Sequence, residues 1–307
     1  DPIDLEFAID SSGKDWFYFE PNCKVGNQNI SLQEIARLLV RNDGYLKTKK
    51  GFVKVSDSSQ KELETLSSFG AFKVGKKFSK SEILPLIAAS TTKGSNEATE
   101  SMIDRINNFH KVDHCEPSKN FSGELRPYQQ YGMNWMNFLF QIGLGGVLAD
   151  DMGLGKTVQV IAFTTQLQRT KPVLVVCPTN VVYNWRNEID KFAKGQKTLI
   201  YTGNNRHKHL KSLKDYDFII TTYGLIKNDL ELLSKIDFQA IFLDEAQYIK
   251  NPQAQISKAT KALRADYKIA MTGTPIENHL LDLWSLFDFV MPDYLGNRKN
   301  FEDMIKD

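Results

Sequence analysis

The distribution of apolar positions divides the chain into two textures. In the first ninety residues the apolar runs are short and of mixed period. LEFAID (5–10) and DWFYFE (15–20) are rich in aromatic and branched residues and are separated by SSGK, which predicts two strands and a turn. Ser31 precedes LQEIARLLV, with Glu34 three residues on, the capping-box signature of a helix start. Leu32, Ile35, Leu38 and Leu39 then fall on one helical face. YLKT and GFVKV predict a hairpin around Lys49, Lys50 and Gly51, and KELETLSSF and SKSEILPLIAAS predict two more helices. Residues 91–99, TTKGSNEAT, are small and polar and read as a linker, with a helix over ESMIDRINNFH leading out of it. Residues 112–124 read as a loop.

From residue 143 the texture changes to strand, loop and helix, repeated. GGVLAD, VLVVC, TLIY, DFIITTY, AIFLD and KIAMT are short apolar or branched segments, most of them separated by helical stretches. A strand–helix pattern repeated in this way predicts a parallel sheet covered by helices on both faces. Ligands of such sheets bind at the carboxyl ends of the strands.

Composition narrows this picture. At 307 residues the chain has room for about two domains. With 41% hydrophobic and 25% charged residues the balance is that of a folded protein. Lys and Arg total 39 against 37 Asp and Glu, so the net charge of +2 excludes a uniformly basic nucleic-acid coat, although not a local basic face. Window 41–80 holds ten Lys or Arg and four Asp or Glu, which reads as a solvated lysine-rich surface rather than a phosphate-facing patch. The apolar runs fall short of the ~20 residues of a membrane helix. The start, DPIDLEFAIDSS, shows neither a signal peptide nor an initiator Met, and suggests a processed or excised piece. Three scattered cysteines, Cys23, Cys115 and Cys177, form no disulfide framework and point to a reducing cytosol. His110, His114 and Cys115 lack a second Cys or His pair nearby and read as ordinary residues rather than a metal corner.

The unusual residues stand where the strands end. DDMGLGKT (150–157) comes directly after GVLA and reads as a phosphate-binding loop, with Asp150 where G-x-x-x-x-G-K-T has its first Gly. Gly153 and Gly155 permit the torsions that turn successive N–H groups toward phosphates. Lys156 would bridge β- and γ-phosphates and Thr157 would hold Mg²⁺. AIFLDEAQ (240–247) delivers two adjacent carboxylates at the end of an apolar strand, about ninety residues after the loop. Asp244 would hold Mg²⁺ and Glu245 would polarise an attacking water. MTGTPIEN (271–278) comes after KIA, and Thr272, Gly273 and Thr274 form a small hydroxyl-rich turn suited to coupling. Asn180, Asn184, Trp185 and Arg186 lie beyond CPT at a helix start, where amides and an Arg can hold a backbone phosphate, with burial in the core the alternative for Trp185; Thr221 and Thr222 at the end of DFIITTY read the same way.

Six segments in this order resemble the helicase-like motor core of superfamily two, and within it the Swi/Snf family of double-stranded DNA translocases. LRPYQQYGMNWM resembles that family's opening motif, LADDMGLGKTVQVIA its motif I, CPTNVVYNWRNEIDKF motif Ia, TTYGLI motif Ib, and LDEAQYIKN motif II with its DEAQ box. MTGTPIENHLLDLWSLFDFVMP resembles motif III together with the family's next stretch of chain. The resemblance covers about residues 121–295, and residues 1–90 more loosely resemble the accessory domain of bacterial members. It implies a RecA-like α/β lobe with a mostly parallel sheet over residues 121–307, a small α+β accessory domain over 1–90, and a linker and helix over 91–120. It implies ATP and Mg²⁺ as cofactors, with Arg126, Gln129, Gly153, Leu154, Gly155, Lys156 and Thr157 at the nucleotide, Gln129 in the adenine-recognising position, and Gln247 joining the coupling set. Duplex DNA is the implied partner, no membrane is involved, and the implied location is bacterial cytoplasm at the nucleoid. The activity implied for the whole protein is DNA-dependent ATP hydrolysis that remodels or strips protein–DNA complexes. The alternatives are an RNA-dependent or strand-separating helicase, a nucleotide-switched scaffold, and a binding module in residues 1–90 that the lobe regulates. Gln129 and the WxxE-like stretch Trp185–Glu188 favour the DNA translocase. Such motors carry a second lobe with an arginine finger, and no Q-x-x-G-R-x-x-R segment occurs in this sequence. The chain is therefore expected to be a fragment, nearly inactive in hydrolysis by itself.

Overall fold

The computed structural model describes residues 7–11, 16–21, 24–25, 28–30, 35, 44–48, 51–68, 77–89, 92–94, 96–108, 112–276 and 279–305. They form two compact units, residues 1–111 and 112–307.

In the first unit the expected strand pair is present: β1 (Phe7–Ser11) runs antiparallel to β2 (Trp16–Pro21). Short β3 (Lys24–Val25) and β4 (Gln28–Asn29) pair with each other, as do β5 (Tyr45–Thr48) and β6 (Gly51–Lys54) in the expected hairpin. α1 (Asp57–Ser68) and α2 (Lys80–Ala89) flank β7 (Phe78–Ser79), which joins β2. The helix expected over 31–39 lies outside the described residues except for Ile35, which is helical and buried. Phe7, Ile9, Phe17, Leu63, Phe78 and Leu86 belong to one core.

The stretch read as a linker is instead built into this unit. β8 (Thr92–Gly94) lies parallel to β1, with Phe7 opposite Thr92. α3 (Glu97–Asn107) begins soon after. Asn96 caps it: its Oδ1 accepts from the Thr99 N–H at 3.0 Å, and Thr99 Oγ1 accepts from the Asn96 N–H. The small polar residues serve as a strand end and a helix cap, which is why composition alone reads them as linker.

The second unit opens with α4 (Pro127–Ile142) and continues as six strands alternating with helices: β9 (Gly146–Leu148), α5 (Lys156–Gln166), β10 (Val173–Cys177), α6 (Val182–Phe192), β11 (Thr198–Ile200), β12 (Phe218–Thr222), α7 (Tyr223–Asn228), α8 (Leu230–Leu233), β13 (Asp237–Leu243), α9 (Gln255–Lys261), β14 (Arg264–Met271), α10 (Leu280–Val290) and α11 (Arg298–Met304). The strands are all parallel, in the order β11-β12-β10-β13-β14-β9. Alternate residues of β10 serve opposite cores. Val173, Val175 and Cys177 pack with Met133, Phe163 and Trp185, whereas Leu174 and Val176 pack with Ile226, Ile249 and Phe289. Two buried faces explain why these strands are apolar throughout rather than alternating. The strand order sets β13, β14 and β9 side by side, with Met271 level with Leu148 and Leu243 level with Ala270. The three chemistry-bearing loops therefore emerge at one edge. Among the described residues no helix is long and apolar enough to cross a membrane.

Candidate nucleotide site

The loop after β9 turns through left-handed backbone at Gly153 (φ 84°) and Gly155 (φ 79°) before α5 begins. At Gly155 space matters as well as torsion, since a Cβ there would stand 2.6 Å from Gln129 Nε2. That amide belongs to the first turn of α4. Its Oε1 accepts from the Arg126 N–H at 2.9 Å, and its Nε2 donates to the Leu154 carbonyl at 3.0 Å. One side chain thus closes the start of α4 and gauges the phosphate loop. Arg126 itself is at the helix cap.

Lys156 Nζ donates to the carbonyls of Asp150 at 2.7 Å and Asp151 at 3.1 Å, so the ammonium lies within the loop's own curve. Thr157 is next in the first turn of α5, half-buried. Close by in that helix, Gln159 donates from Nε2 to Asp150 Oδ2 at 2.8 Å. Its Oε1 is buried without a hydrogen-bond partner, and a Cβ on Gly132 of α4 would stand only 1.9 Å from it. Gln159 is missing from the sequence reading. Its signal was a long polar side chain inside the apolar run of α5.

Asp244 stands immediately after β13, half-buried, with its N–H donating to the Val176 carbonyl at 2.8 Å. Its carboxylate accepts from Trp185 Nε1 at 2.8 Å and from the Glu245 N–H at 3.0 Å. Burial pushes its pKa up, while the Trp185 hydrogen bond and the Lys156 ammonium work the other way. The next residue, Glu245, has left-handed backbone at φ 51°. Gln247 Nε2 donates to Glu245 Oε2 at 2.8 Å, Thr272 Oγ1 donates to Gln247 Oε1 at 3.1 Å, and the Thr274 N–H donates to Thr272 Oγ1 at 3.1 Å. Gly273 lies against the phosphate loop, where a Cβ would meet Met152 Cγ at 3.2 Å. The segments expected to converge do so, and a polar chain runs from Glu245 through Gln247 to the Thr272 turn. The oxygen donors Thr157 and Asp244, beside the Lys156 ammonium and the start of α5, suit a magnesium nucleotide.

The residues read as phosphate contacts divide. Asn180, in a 3-10 turn (Thr179–Val181), and Asn184, in the first turn of α6, are exposed, with Tyr183 between them 68% exposed. Trp185 turns inward, 1% exposed. Arg186 is spent on the lobe itself, donating to Asp190 Oδ2 at 2.8 Å and to the Thr198 carbonyl at 2.7 Å. Thr221 is corrected: it is fully buried inside β12, and its hydroxyl donates to the Tyr201 carbonyl at 3.0 Å. Position 221 belongs to the strand and not to the turn after it, which a strand-end reading of DFIITTY misplaces. Thr222 ends the strand and is buried too, at 8% exposure, so its side chain is not presented as a phosphate contact either. Among the described residues no group of His, Cys, Asp and Glu is gathered as a metal cluster, and His114 pairs with Glu116 at 2.8 Å.

A family profile, the SNF2-related domain, matches residues 128–307, more than half of the chain. The chain belongs to the SNF2-related family. YwqA of Bacillus subtilis (strain 168), named a putative ATP-dependent helicase/translocase, is 41% identical over 208 residues, covering 66% of this chain and 23% of the relative. TATA-binding protein-associated factor MOT1 of Saccharomyces cerevisiae is 41% identical over 196 residues, covering 58% of this chain and 10% of its own. Among solved structures, the Sulfolobus solfataricus SWI2/SNF2 ATPase core in complex with double-stranded DNA matches with a TM-score of 0.59 and 44% identity, covering 62% of this chain and 40% of that one. The chain thus spans a quarter or less of these curated relatives' length. The six-stranded parallel sheet is the RecA-like lobe of an SNF2 ATPase core, and every segment quoted for the motor lies in it except the start of the opening motif, which precedes the profile by three residues.

Proposed function

We propose that residues 112–307 are the ATP-binding lobe of a DNA-dependent ATPase that translocates on duplex DNA and remodels or displaces protein–DNA complexes. The observation that carries this reading is the convergence of Lys156, Asp244 and Glu245 at one sheet edge, with Glu245 bonded through Gln247 to the Thr272 turn. When bound, ATP with Mg²⁺ supplies the phosphoanhydride whose hydrolysis drives movement. Lys156 binds β- and γ-phosphate oxygens, and the loop N–H groups from Gly153 to Thr157 hold the remaining charge. Thr157 and Asp244 hold the metal. Glu245 orients and polarises the attacking water. Gln129 ties recognition of the base to the set of the loop through Leu154. The exposed Asn180 and Asn184 contact backbone phosphates, which suits walking on any sequence. Residues 1–111 are proposed as an accessory unit.

The loop assignment is tested by calorimetry. Lys156→Ala is expected to abolish measurable ATP binding, and unchanged affinity would remove Lys156 from the site. The polymer is tested by salt-dependent binding of the full-length protein to duplex DNA, single strands and RNA. Preference for duplex DNA is expected, and equal or stronger RNA binding would favour an RNA-dependent motor.

A further inference from the structure

Asp244 is held from two sides by elements that themselves begin at the proposed DNA-facing edge. Its carboxylate accepts from Trp185 Nε1 at 2.8 Å, and its main-chain carbonyl accepts from Tyr223 Oη at 2.7 Å. Trp185 lies in the first turn of α6, next to the exposed Asn184, and Tyr223 opens α7 directly after Thr222. Both side chains are buried, Trp185 at 1% and Tyr223 at 3% exposure, so neither is free to touch a ligand itself. A buried indole N–H has one bond to give, and here it goes to a residue 59 positions away in sequence. Tyr223 is in turn stacked on the half-exposed Tyr248, with ring centroids 4.9 Å apart and planes 8° from parallel, and Tyr248 lies just beyond the DEAQ segment. The two bonds leave Asp244 little freedom to move unless α6 or α7 moves with it.

We infer that Trp185 is a positioning residue that orients Asp244 and couples a phosphate backbone seated at the start of α6 to divalent metal at the nucleotide site. This rests on the functional reading above. A shift or rotation of α6 on engaging the backbone re-aims the indole N–H and with it the carboxylate. Coupling of this kind is reciprocal: metal nucleotide at Asp244 must tighten duplex binding by the same factor that duplex tightens metal nucleotide. Tyr223 holds the backbone of the same residue, so that the indole acts on the carboxylate and not on the chain that carries it.

The test uses the full-length protein and reads binding rather than turnover. Affinity for ATP is measured with Mn²⁺ and with metal chelated, each with and without duplex DNA, in the wild type, Trp185→Phe and Asp244→Ala. Trp185→Phe is expected to weaken Mn²⁺-dependent binding about tenfold or more, the range for removing a partner that orients a metal ligand. It should leave metal-free affinity unchanged and abolish the effect of duplex on metal binding. Asp244→Ala should remove the metal dependence outright, and Trp185→Phe should add nothing to it. An unaltered metal dependence in Trp185→Phe, alongside its loss in Asp244→Ala, overturns the inference and leaves the functional reading standing. An unaltered metal dependence in Asp244→Ala overturns both.

Because Trp185→Phe empties part of the core, a second measurement needs no change at that position. In ¹⁵N-indole spectra of the wild-type chain the Trp185 N–H signal is expected downfield, as for a bond to a carboxylate. It should move upfield in Asp244→Ala and shift on addition of duplex. A signal indifferent to Asp244→Ala overturns the inference.

Discussion

At the scale of the residue, the phosphate loop shows how torsion and space act separately. Gly153 and Gly155 both have left-handed backbone, but nothing lies within 4 Å of a Cβ at 153, whereas one at 155 would meet Gln129 Nε2 at 2.6 Å. Gly153→Ala is therefore expected to cost about 1–2 kcal/mol, from torsion alone. Gly155→Ala must also drive Gln129 from the Leu154 carbonyl, and is expected to cost about 1 kcal/mol more. Urea unfolding of the two variants checks the difference, and equal losses would mean that Gln129 moves aside freely. The loop and the DE pair were legible in the sequence because phosphate and metal chemistry demand particular residue types at fixed spacing after a strand. Trp185 was read only as core or contact, and Gln159 not at all. Their roles depend on partners brought close by the fold, Asp244 in one case and Asp150 with Gly132 in the other.

At the scale of the element, the segment between β11 and α8 is held by a buried polar cluster. Asp229 caps α7 and opens α8, and its carboxylate accepts from Arg206 Nε at 2.6 Å, Arg206 Nη2 at 2.9 Å and Tyr201 Oη at 3.1 Å. The Arg206 guanidinium holds the Asp229 carboxyl down at about 2, against an ordinary 3.8. Between those values the unfolded chain binds more protons than the folded one. This carboxylate's stabilisation, on the order of 2 kcal/mol, is thus fully present above about pH 4 and lost as pH falls through about 2. Arg206→Ala should cost about 2–3 kcal/mol at pH 7, because the buried carboxylate loses its guanidinium and keeps only Tyr201 Oη and His207 Nε2, each at 3.1 Å. The gap between wild type and variant should shrink as pH drops from 4 to 2 in denaturant titrations; a gap independent of pH would place the stabilisation elsewhere. Elements with a strong pattern of their own were legible, as with the six strands of the second unit and the helices Asp57–Ser68 and Lys80–Ala89. β8 was not, since three residues as polar as Thr92, Lys93 and Gly94 become a strand only because β1 offers an edge.

At the scale of the whole molecule, each unit encloses its own core, and every residue of the nucleotide site belongs to the second. Residues 112–307 made alone are expected to bind ATP within about threefold of the full chain, as a unit with its own core can. Calorimetry decides, and a loss beyond tenfold would give the first unit a part in the site. For turnover, the resemblance assigns an arginine finger to a second lobe, a contribution worth about 10³–10⁵ in rate. Residues 1–307 are accordingly expected to hydrolyse ATP very slowly and to respond little to duplex DNA, and fast stimulated turnover in a clean preparation would contradict this. The left-handed backbone at Glu245 has a consequence for how such a molecule changes under selection. A side chain other than glycine or asparagine is uncomfortable in that conformation. A library selected only for surviving heat should therefore drift toward glycine or asparagine at codon 245, while one selected for growth on the protein's activity keeps glutamate. The position where the two populations part company would mark, without any structure, where durability and work draw on the same residue.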